Sequence, residues 1–434
     1  MLAFRYLLFL LIGIAYTNYA DAKVNVDQIL DESPIIDGHN DLPYNLYHIL
    51  KNDLSKFNLN SDLTNNKDWK DCDSCFTDLP RLKKGKVGAQ FWVAYVGCGT
   101  QYKDSLGKTL EQIDVIKRLV QKNSEHMVFV DSAAGLDTTN GKIASLIGIE
   151  GGHSMDSRLG VLRMLYDLGA RYMTLTHTCN TPWADSSLVD TSKPVHDLSA
   201  YGEEVVKEMN RLGMIVDLSH VSHNVMKKAI EISKAPVMFS HSSAWGVHNH
   251  HRNVQDDILV ALKENKGIIM VNFYPGFISD NLETASLEDV ANHINYIVDK
   301  IDHGHVGIGA DYDGVDKAPI GLEDVSKYPD LFKYLVEKNE TRWTADNLKK
   351  LSRQNFIRVF EGVEKARDEL KTVNPFESWI PSDDLDAVEK QEKLWQCRTL
   401  LNNSIPYQNA AASTIPSRIF LIVGLIASFA ILRM

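Results

Sequence analysis

Eight short apolar segments, rich in β-branched residues, recur along the chain and alternate with amphipathic segments. Segments such as Leu110–Val120 and Gly202–Arg211 carry apolar residues at three- and four-residue spacing, which predicts helices. Strands that alternate with helices in this way favour parallel pairing, and the commonest closed arrangement is the (β/α)8 barrel. We therefore predict an α/β fold of the TIM-barrel type. Its strands are predicted at Ile35–Asp37, Gln90–Val96, Ala144–Ile149, Tyr172–Thr176, Met214–Leu218, Val237–Ser240, Ile268–Phe273 and Val306–Ala310.

The first 22 residues form an apolar segment of another kind. Arg5 gives a short basic start, residues 7–15 form an apolar core, and Ala20-Asp21-Ala22 is an A-x-A cleavage pattern. This order is typical of a secretory signal peptide, so residues 1–22 are predicted to be removed. The mature protein is then expected in an oxidising compartment.

A second apolar run, Ile419–Leu432, lies near the end of the chain. It is shorter than the roughly 20 residues that a membrane-spanning helix needs. Small residues and a polar spacer precede it, which is typical of a GPI-attachment signal. We predict lipid attachment at Asn409, removal of residues 410–434, and a protein anchored to the extracellular face of the cell membrane. A short transmembrane tail is the alternative.

The composition between these ends is that of a globular protein. The chain is 44% hydrophobic and 24% charged, with a formal net charge of −11 at pH 7. An acidic surface without basic tracts argues against nucleic acid as a partner and favours a small substrate. We find no inter-domain linker, so one domain is predicted over residues 23–385 and a stalk over residues 386–409.

The sequence contains five cysteines, which are Cys72, Cys75, Cys98, Cys179 and Cys397. In an oxidising compartment an odd count predicts two internal bridges and one thiol that pairs between chains. Cys397 lies alone near the predicted anchor and is the candidate for the interchain bond. The Cys72 and Cys75 pair is interpreted as a local disulfide rather than a redox or zinc CxxC. Acceptor motifs at Asn339 and Asn402 predict surface glycosylation.

Titratable side chains follow six of the eight predicted strands. Barrel active sites lie at the carboxyl ends of the strands, so these side chains are predicted to share one rim. Without a cation, so many groups on one rim would repel and desolvate one another. They are His39 and Asp41 after the first strand, Glu150 after the third, His177 after the fourth, His220 after the fifth, His241 after the sixth and Asp311 after the eighth.

Imidazole and carboxylate together form a donor set suited to Zn²⁺. His39 and Asp41 are two residues apart, so an extended backbone points both side chains the same way. Together with Glu150, His220 and His241, these residues make five candidate ligands, which is more than one four-coordinate ion can bind. Five ligands suit two metal ions that share a bridging carboxylate. Each residue alone has an ordinary structural explanation, such as a buried acid paired with an arginine. The complete set favours a metal centre.

Seven motifs occur in a fixed order, which are HND, IEGGHS, LTHTCNTPW, DLSHVS, FSHSSA, HRNV and GADYDG. In this order and spacing the chain resembles the membrane (renal) dipeptidases, a GPI-anchored peptidase family with an amidohydrolase-like barrel. The resemblance extends from about residue 26 to the stalk. It implies a zinc metallodipeptidase that hydrolyses dipeptides, including cysteinyl-glycine-type conjugates.

The resemblance also implies the ligands of each metal ion. His39 and Asp41 are expected to bind one zinc ion, and His220 and His241 to bind the other. Glu150 is expected to bridge the two ions. Each subunit would then hold two Zn²⁺.

Substrate contacts follow from the same resemblance. His177 is expected to contact the substrate or the tetrahedral intermediate, and Asp311 to shuttle the proton. Arg252 is expected to hold the substrate's C-terminal carboxylate, a bidentate task suited to guanidinium. Cys98 and Cys179 match an internal disulfide of the family, and the family pattern implies a disulfide-linked homodimer.

The expected chemistry is hydrolysis by an activated water. Two cations about 3.5–4 Å apart can hold a bridging water, lower its pKa and polarise the scissile carbonyl. Asp311 would return a proton to the leaving amine. A carboxylate clamp at Arg252 limits substrates to very short peptides and disfavours a phosphotriester.

A rival hypothesis is a catalytically silent cell-surface adhesion or binding protein on the same barrel. A protein of that kind is expected to have lost at least one ligand, and none of the five is lost here. Departures from the family pattern concern the pocket instead, because Phe277 stands where relatives carry tyrosine and Tyr44 where a tryptophan lines the pocket. The other histidines, His250 and His251 among them, are interpreted as surface or supporting residues.

Overall fold

The computed structural model describes residues 24–67, 69, 72–192 and 197–385 of the chain. Within these residues nine strands form one sheet, and every strand pairing is parallel. The strands are β1 (Ile35–Asn40), β2 (Val87–Tyr95), β3 (Met127–Phe129), β4 (Ile143–Glu150), β5 (Ala170–Thr174), β6 (Ile215–Asp217), β7 (Met238–Phe239), β8 (Ile268–Val271) and β9 (Val306–Ile308).

Eight of these strands close into a barrel. Neighbouring strands pair in the order β2-β1-β9-β8-β7-β6-β5-β4, and β4 pairs back onto β2 over seven successive residues. The predicted TIM-type barrel is therefore confirmed. The ninth strand, β3, was not predicted from the sequence. It pairs with β4 over Ile143–Ser145, below the stretch of β4 that pairs with β5, and it lies outside the closed set of eight strands.

Helices connect the strands on the outside of the barrel. Those in the described residues are α1 (Val26–Glu32), α2 (Leu42–Leu50), α3 (Leu79–Lys84), α4 (Ser105–Lys122), α5 (Leu159–Asp167), α6 (Ala200–Leu212), α7 (His223–Ile232), α8 (Asp256–Asn265), α9 (Pro275–Ile278), α10 (Leu287–Ile301), α11 (Tyr328–Lys338), α12 (Ala345–Lys349) and α13 (Asn355–Glu369).

Helix α6 illustrates how local sequence sets these elements. The Ser199 side chain caps its first turn by accepting a hydrogen bond from the backbone N–H of Gly202. Gly213 ends it with φ 83°, a left-handed conformation that glycine adopts without steric cost. Between these caps, Val205 and Met209 lie on the buried face at the four-residue spacing that predicted the helix.

The amino-terminal end of the barrel is closed by helix α13. Its residues Phe356 and Phe360 pack with the apolar side chains of the barrel interior, and Phe356 lies 5.4 Å from the ring of Phe91. Arg358 on the same helix donates to the backbone carbonyls of Gly267 and Gly304. A closed lower end leaves the carboxyl ends of the strands as the open face of the barrel.

All described residues belong to one compact unit, which ends at Asp386. Within the described part of the chain, none of the helices has the length and apolar character of a membrane span. The predicted signal peptide, stalk and GPI-attachment segment lie outside the described residues.

Candidate metal centre and active site

The predicted rim residues stand at the carboxyl ends of the barrel strands. His39 lies near the end of β1, Asp41 follows that strand directly, and Glu150 is the last residue of β4. The remaining four follow their strands within three residues. These are His177 after β5, His220 after β6, His241 after β7 and Asp311 after β9.

Glu150 is the centre of the cluster. Its Oε1 atom lies 3.0 Å from Nε2 of His220 and 3.3 Å from Nε2 of His241. The same oxygen lies 3.7 Å from Nε2 of His39 and 3.9 Å from Nε2 of His177. One carboxylate oxygen therefore lies within 4 Å of the Nε2 atoms of four imidazoles.

Three overlapping sets of ligand atoms lie within 4.8 Å of one another. His39 Nε2 lies 3.0 Å from Oδ2 of Asp41 and 3.8 Å from Oδ1 of Asp311. The Nε2 atoms of His220 and His241 lie 2.9 Å apart. The sets are His39, Glu150 and His241; Glu150, His177 and His220; and His39, Asp41 and Asp311.

Burial makes the charges of this cluster interact strongly. Burial by itself lowers the pKa of His39, but the carboxylates of Asp41 and Glu150 outweigh that effect and raise the pKa to about 10. Burial lowers the pKa of His220 and His241 well below the usual value. His220 and His241 are thus neutral imidazoles beside carboxylates. In the metal-free protein, the proton on His39 supplies positive charge where a metal ion would otherwise do so.

An unpaired oxygen and spare space indicate that the cluster accommodates a cation. Asp41 Oδ1 is buried and has no hydrogen-bond partner among the described residues. Leaving such an atom unpaired costs about 1–3 kcal/mol. A Cβ at Gly314 would lie 2.3 Å from Oδ2 of Asp41 and 2.7 Å from Oδ1 of Asp311, so glycine keeps this space open. Imidazole nitrogen and carboxylate oxygen are the donors that divalent transition metals select, and the residues fit a metal centre.

A tyrosine hydroxyl orients His39. Tyr172 Oη lies 3.0 Å from Nδ1 of His39 and donates to the carbonyl oxygen of Gly38 at 3.2 Å. Because the hydroxyl proton goes to Gly38, His39 donates from Nδ1 and turns Nε2 toward the cluster, where a metal ion would replace the Nε2 proton. Gly148 leaves room for the tyrosine, since a Cβ there would lie 2.2 Å from Cζ of the ring.

A longer chain of hydrogen bonds orients His241. Its Nδ1 lies 2.8 Å from Oγ of Ser240, which donates to Oδ2 of Asp217 at 2.6 Å. Asp217 also accepts from the hydroxyl of Thr174 at 2.6 Å and from the backbone N–H of Ser219 at 3.1 Å. With its proton directed to Asp217, Ser240 can only accept from His241, so the Nε2 lone pair of His241 faces the ligand cluster.

The cluster lies in the wall of a cavity of about 620 Å³, called the main cavity below, which Arg252 also lines. The Arg252 side chain is buried, and its guanidinium lies 5.1 Å from the ring centre of Phe277. Its hydrogen bonds are long, at 3.4 Å to Oγ of Ser242 and 3.3 Å to the carbonyl of His241, and Nε has no partner among the described residues. A buried guanidinium with such weakly used donors suits a carboxylate ligand.

Asp311 lies on the same rim. Its Oδ2 accepts a hydrogen bond of 2.7 Å from the side-chain amide of Asn272, while Oδ1 faces His39. Burial raises the pKa of Asp311 to about 6, although His39 opposes the rise. A carboxyl with this pKa can both accept and return a proton near neutral pH.

Both predicted internal disulfides are present. Cys98 and Cys179 join the loops after β2 and β5, with 5.8 Å between their Cα atoms. Because Cys179 lies two residues after His177, this bridge restrains the loop that carries His177. Cys72 and Cys75 form a local bridge beside Ser74, which lines the main cavity.

Asn339 is exposed at the end of α11, and its glycosylation stays a prediction. Cys397, Asn402 and Asn409 lie outside the described residues.

Some residues of the site were not recognised from the sequence. His250 and His251 line the main cavity and do not belong to the remote surface. The ring of His250 lies 4.8 Å from that of Phe277, and Nδ1 of His251 lies 2.8 Å from Oγ of Ser187. One feature of the sequence indicates that they belong to the site, which is that they directly precede Arg252. The hydroxyls that orient His39 and His241 left no comparable signal, because tyrosine and serine are ordinary strand residues.

Comparison with known proteins gives one consistent family. The family described as "Membrane dipeptidase (Peptidase family M19)" matches residues 24–374. Dipeptidase 3 of Macaca fascicularis is 44% identical over 368 residues, which are 84% of this chain and 72% of that protein. Dipeptidase 3 of Homo sapiens is 43% identical, covering 83% and 71%. An uncharacterized dipeptidase of Schizosaccharomyces pombe is 42% identical, covering 82% and 87%.

Solved structures agree on the fold. A metallo peptidase from Rhodobacter sphaeroides, liganded with a phosphinate mimic of the dipeptide L-Ala-D-Ala, superposes with a TM-score of 0.67 at 22% identity. That match covers 76% of this chain and 99% of the other. A dipeptidase described as a metallo peptidase of family M19 gives the same TM-score at 23% identity, covering 76% and 98%.

Replacing Ser240 is predicted to weaken metal binding. In Ser240→Ala, Nδ1 of His241 loses its acceptor and Asp217 loses a donor, so affinity for Zn²⁺ should fall about 10- to 100-fold. Competition with a chromogenic chelator measures this affinity. Ser233→Ala is the matched control. Ser233 lies at the end of α7, where its hydroxyl contacts Asn210 and no member of the cluster. Equal affinities in the two variants would contradict the orienting role of Ser240.

Metal binding is predicted to release protons. His39, with its pKa raised to about 10, is protonated at pH 7 in the metal-free protein, and a metal ion must displace that proton. We expect release of about one proton per chain or more at pH 7, and an affinity that rises from pH 6 to pH 9. Titration calorimetry in buffers of different ionisation enthalpy counts the protons. A count of zero would contradict a protonated His39 in the metal-free protein.

Proposed function

Because this chain belongs to the membrane dipeptidase family, Peptidase family M19, and is a metallodipeptidase of that family, we propose that it uses two Zn²⁺ ions per subunit. The observation that carries this proposal is the convergence of four imidazoles on one oxygen of Glu150. His39 and Asp41 would hold one ion, His220 and His241 would hold the other, and Glu150 would bridge them. Bound there, the ions would supply activation of water and polarisation of the scissile carbonyl.

Arg252 selects the length of the substrate. Its unpaired Nε and long hydrogen bonds leave guanidinium donors available to a carboxylate in the main cavity. A carboxylate held there would lie one residue beyond the scissile bond, so the clamp requires a free C-terminal residue directly after that bond, as a dipeptide provides. Phe277 packs against the guanidinium and restricts its orientation.

Asp311 moves the proton. Asn272 holds one carboxylate oxygen and leaves the other facing the ligand cluster, where water and the leaving amine meet. With a pKa raised toward neutrality by burial, the carboxylate accepts a proton from the attacking water and returns it to the amine. His177 lies 3.9 Å from Glu150, and burial holds its pKa well below the usual value, so a neutral imidazole faces the developing oxyanion.

We also propose that this chemistry takes place outside the cell, and the sequence features at the two ends of the chain support this. We propose that residues 1–22 direct secretion, residues 23–385 form the catalytic domain, and the stalk at residues 386–409 leads to a GPI anchor at Asn409. Cys397 in the stalk would link two subunits. Dipeptides are the substrate class, with cysteinyl-glycine-type conjugates among them.

Metal content and a dipeptide panel test the proposed function. Purified protein should contain about two zinc ions per chain and should cleave dipeptides in a chelator-sensitive manner. The same dipeptides with an amidated C-terminus should resist cleavage. A folded protein that holds no metal and cleaves nothing would favour the silent surface-binding protein instead.

Replacing Arg252 tests the carboxylate clamp. Arg252→Lys should raise KM for dipeptides about tenfold or more, because lysine cannot form the bidentate pair. Steady-state kinetics on one dipeptide and its amidated form measure the effect. Arg118→Lys, on the exposed side of α4, is the control and should leave KM unchanged. An Arg252→Lys variant with the KM of the wild-type protein would exclude the clamp.

A further inference from the structure

A second cavity adjoins the main cavity behind two tyrosines. It has a volume of about 220 Å³ and lies between α2, the end of β2 and the start of α4; we call it the side cavity. Tyr44 and Tyr95 line both cavities, and their ring centres lie 5.0 Å apart. The two rings therefore form the boundary that the cavities share, and a substrate side chain that extends past this boundary would reach the side cavity.

The two cavities differ in charge. Five carboxylates line the main cavity, which are Asp41, Glu150, Asp311, Asp313 and Asp316. None of the described residues that line the side cavity carries a carboxylate, and Lys108 and His48 supply basic groups there. Lys108 Nζ lies 3.6 Å from Asp104, whose carboxylate is 61% exposed, so a ligand can compete for this ammonium group.

The side cavity also has unused polar groups. Gln112 is buried in its wall, and Oε1 of Gln112 has no hydrogen-bond partner among the described residues. A Cβ at Gly97 would lie 3.9 Å from the hydroxyl oxygen of Tyr95, which places that hydroxyl on the side-cavity face. Gln112 Oε1 is an acceptor and would pair with an N–H of a ligand, while the Tyr95 hydroxyl and the Lys108 ammonium group are the donors available to a carboxylate.

Barrel topology fixes which end of a substrate reaches this cavity. In the closed order of eight strands, β7 lies directly opposite β2. Arg252 follows β7 and Tyr95 ends β2, so the ligand cluster lies between them. A dipeptide with its C-terminal carboxylate on Arg252 therefore directs its N-terminal residue toward Tyr95 and the side cavity.

We propose that the side cavity binds the side-chain carboxylate of an acidic N-terminal residue, with Lys108 as the cation that recognises it. The proposal rests on the proposed dipeptidase function and names a substrate class for it, dipeptides of the glutamyl-X type. Lys108 acts there as a specificity-determining residue and takes no part in the chemistry.

The test compares pairs of dipeptides that differ only in charge. For the wild-type protein we expect a larger kcat/KM for Glu-Ala than for Gln-Ala. In Lys108→Gln that ratio should fall about threefold to fivefold, as expected for a partly exposed ion pair, and Lys108→Arg should retain it. Lys117→Gln, an exposed lysine on the same helix that lines neither cavity, should leave the ratio unchanged.

A second pair separates local recognition from a general effect of charge. The ratio for Ala-Glu over Ala-Gln should not respond to Lys108→Gln, because a C-terminal side chain lies on the Arg252 side. An unchanged Glu-Ala ratio in Lys108→Gln, or equal shifts for both pairs, would overturn the proposal. If the protein hydrolyses none of these dipeptides, the dipeptidase function fails, and titration calorimetry of Glu-Ala and Gln-Ala with the same variants decides the binding preference separately.

Discussion

The structure depends on the burial of carboxylates and imidazoles around one oxygen of Glu150. Desolvation opposes each charge, and like charges repel, so the cluster is favourable only with a cation or a bound proton. The pKa of His39, raised to about 10, expresses this requirement in the metal-free chain. The barrel satisfies the requirement by supplying ligands from strands that lie far apart in sequence but share one rim. The same buried cluster of charges therefore favours binding of a cation and provides the groups for catalysis.

Three rim residues have strained backbone conformations. His220, Asp311 and Asp313 adopt left-handed φ values of 69°, 70° and 67°, which non-glycine residues rarely adopt. Hydrogen bonds in the loops hold two of them, since Ser187 N–H donates to the carbonyl of His220 and Asn272 holds the Asp311 side chain. Rigid strands below and bonded loops above together fix the positions that the chemistry needs.

The same topology divides recognition between opposite sides of the rim. Loops after β7 and β8 carry Arg252 and Phe277, which would face one end of a bound dipeptide in the function proposed above. The end of β2 and helix α2 carry Tyr95 and Tyr44, which would face the other end. Because the two sides lie on different loops, side-chain preference can vary without disturbing the metal ligands between them.

The sequence by itself determined the barrel and the rim residues, because strand periodicity and the position of polar residues after strands are local properties. The local Cys72–Cys75 bridge also followed from the sequence, whereas the Cys98–Cys179 pairing was implied by the family resemblance. The sequence did not reveal β3, and it could not reveal the roles of the Tyr172 and Ser240 hydroxyls, since an ordinary polar side chain carries no distinct pattern. Tertiary structure alone decided that four imidazoles converge on one oxygen, that His250 and His251 line the main cavity, and that the described residues of the side cavity include no carboxylate. These are distances between residues remote in sequence, and only closure of the barrel sets them.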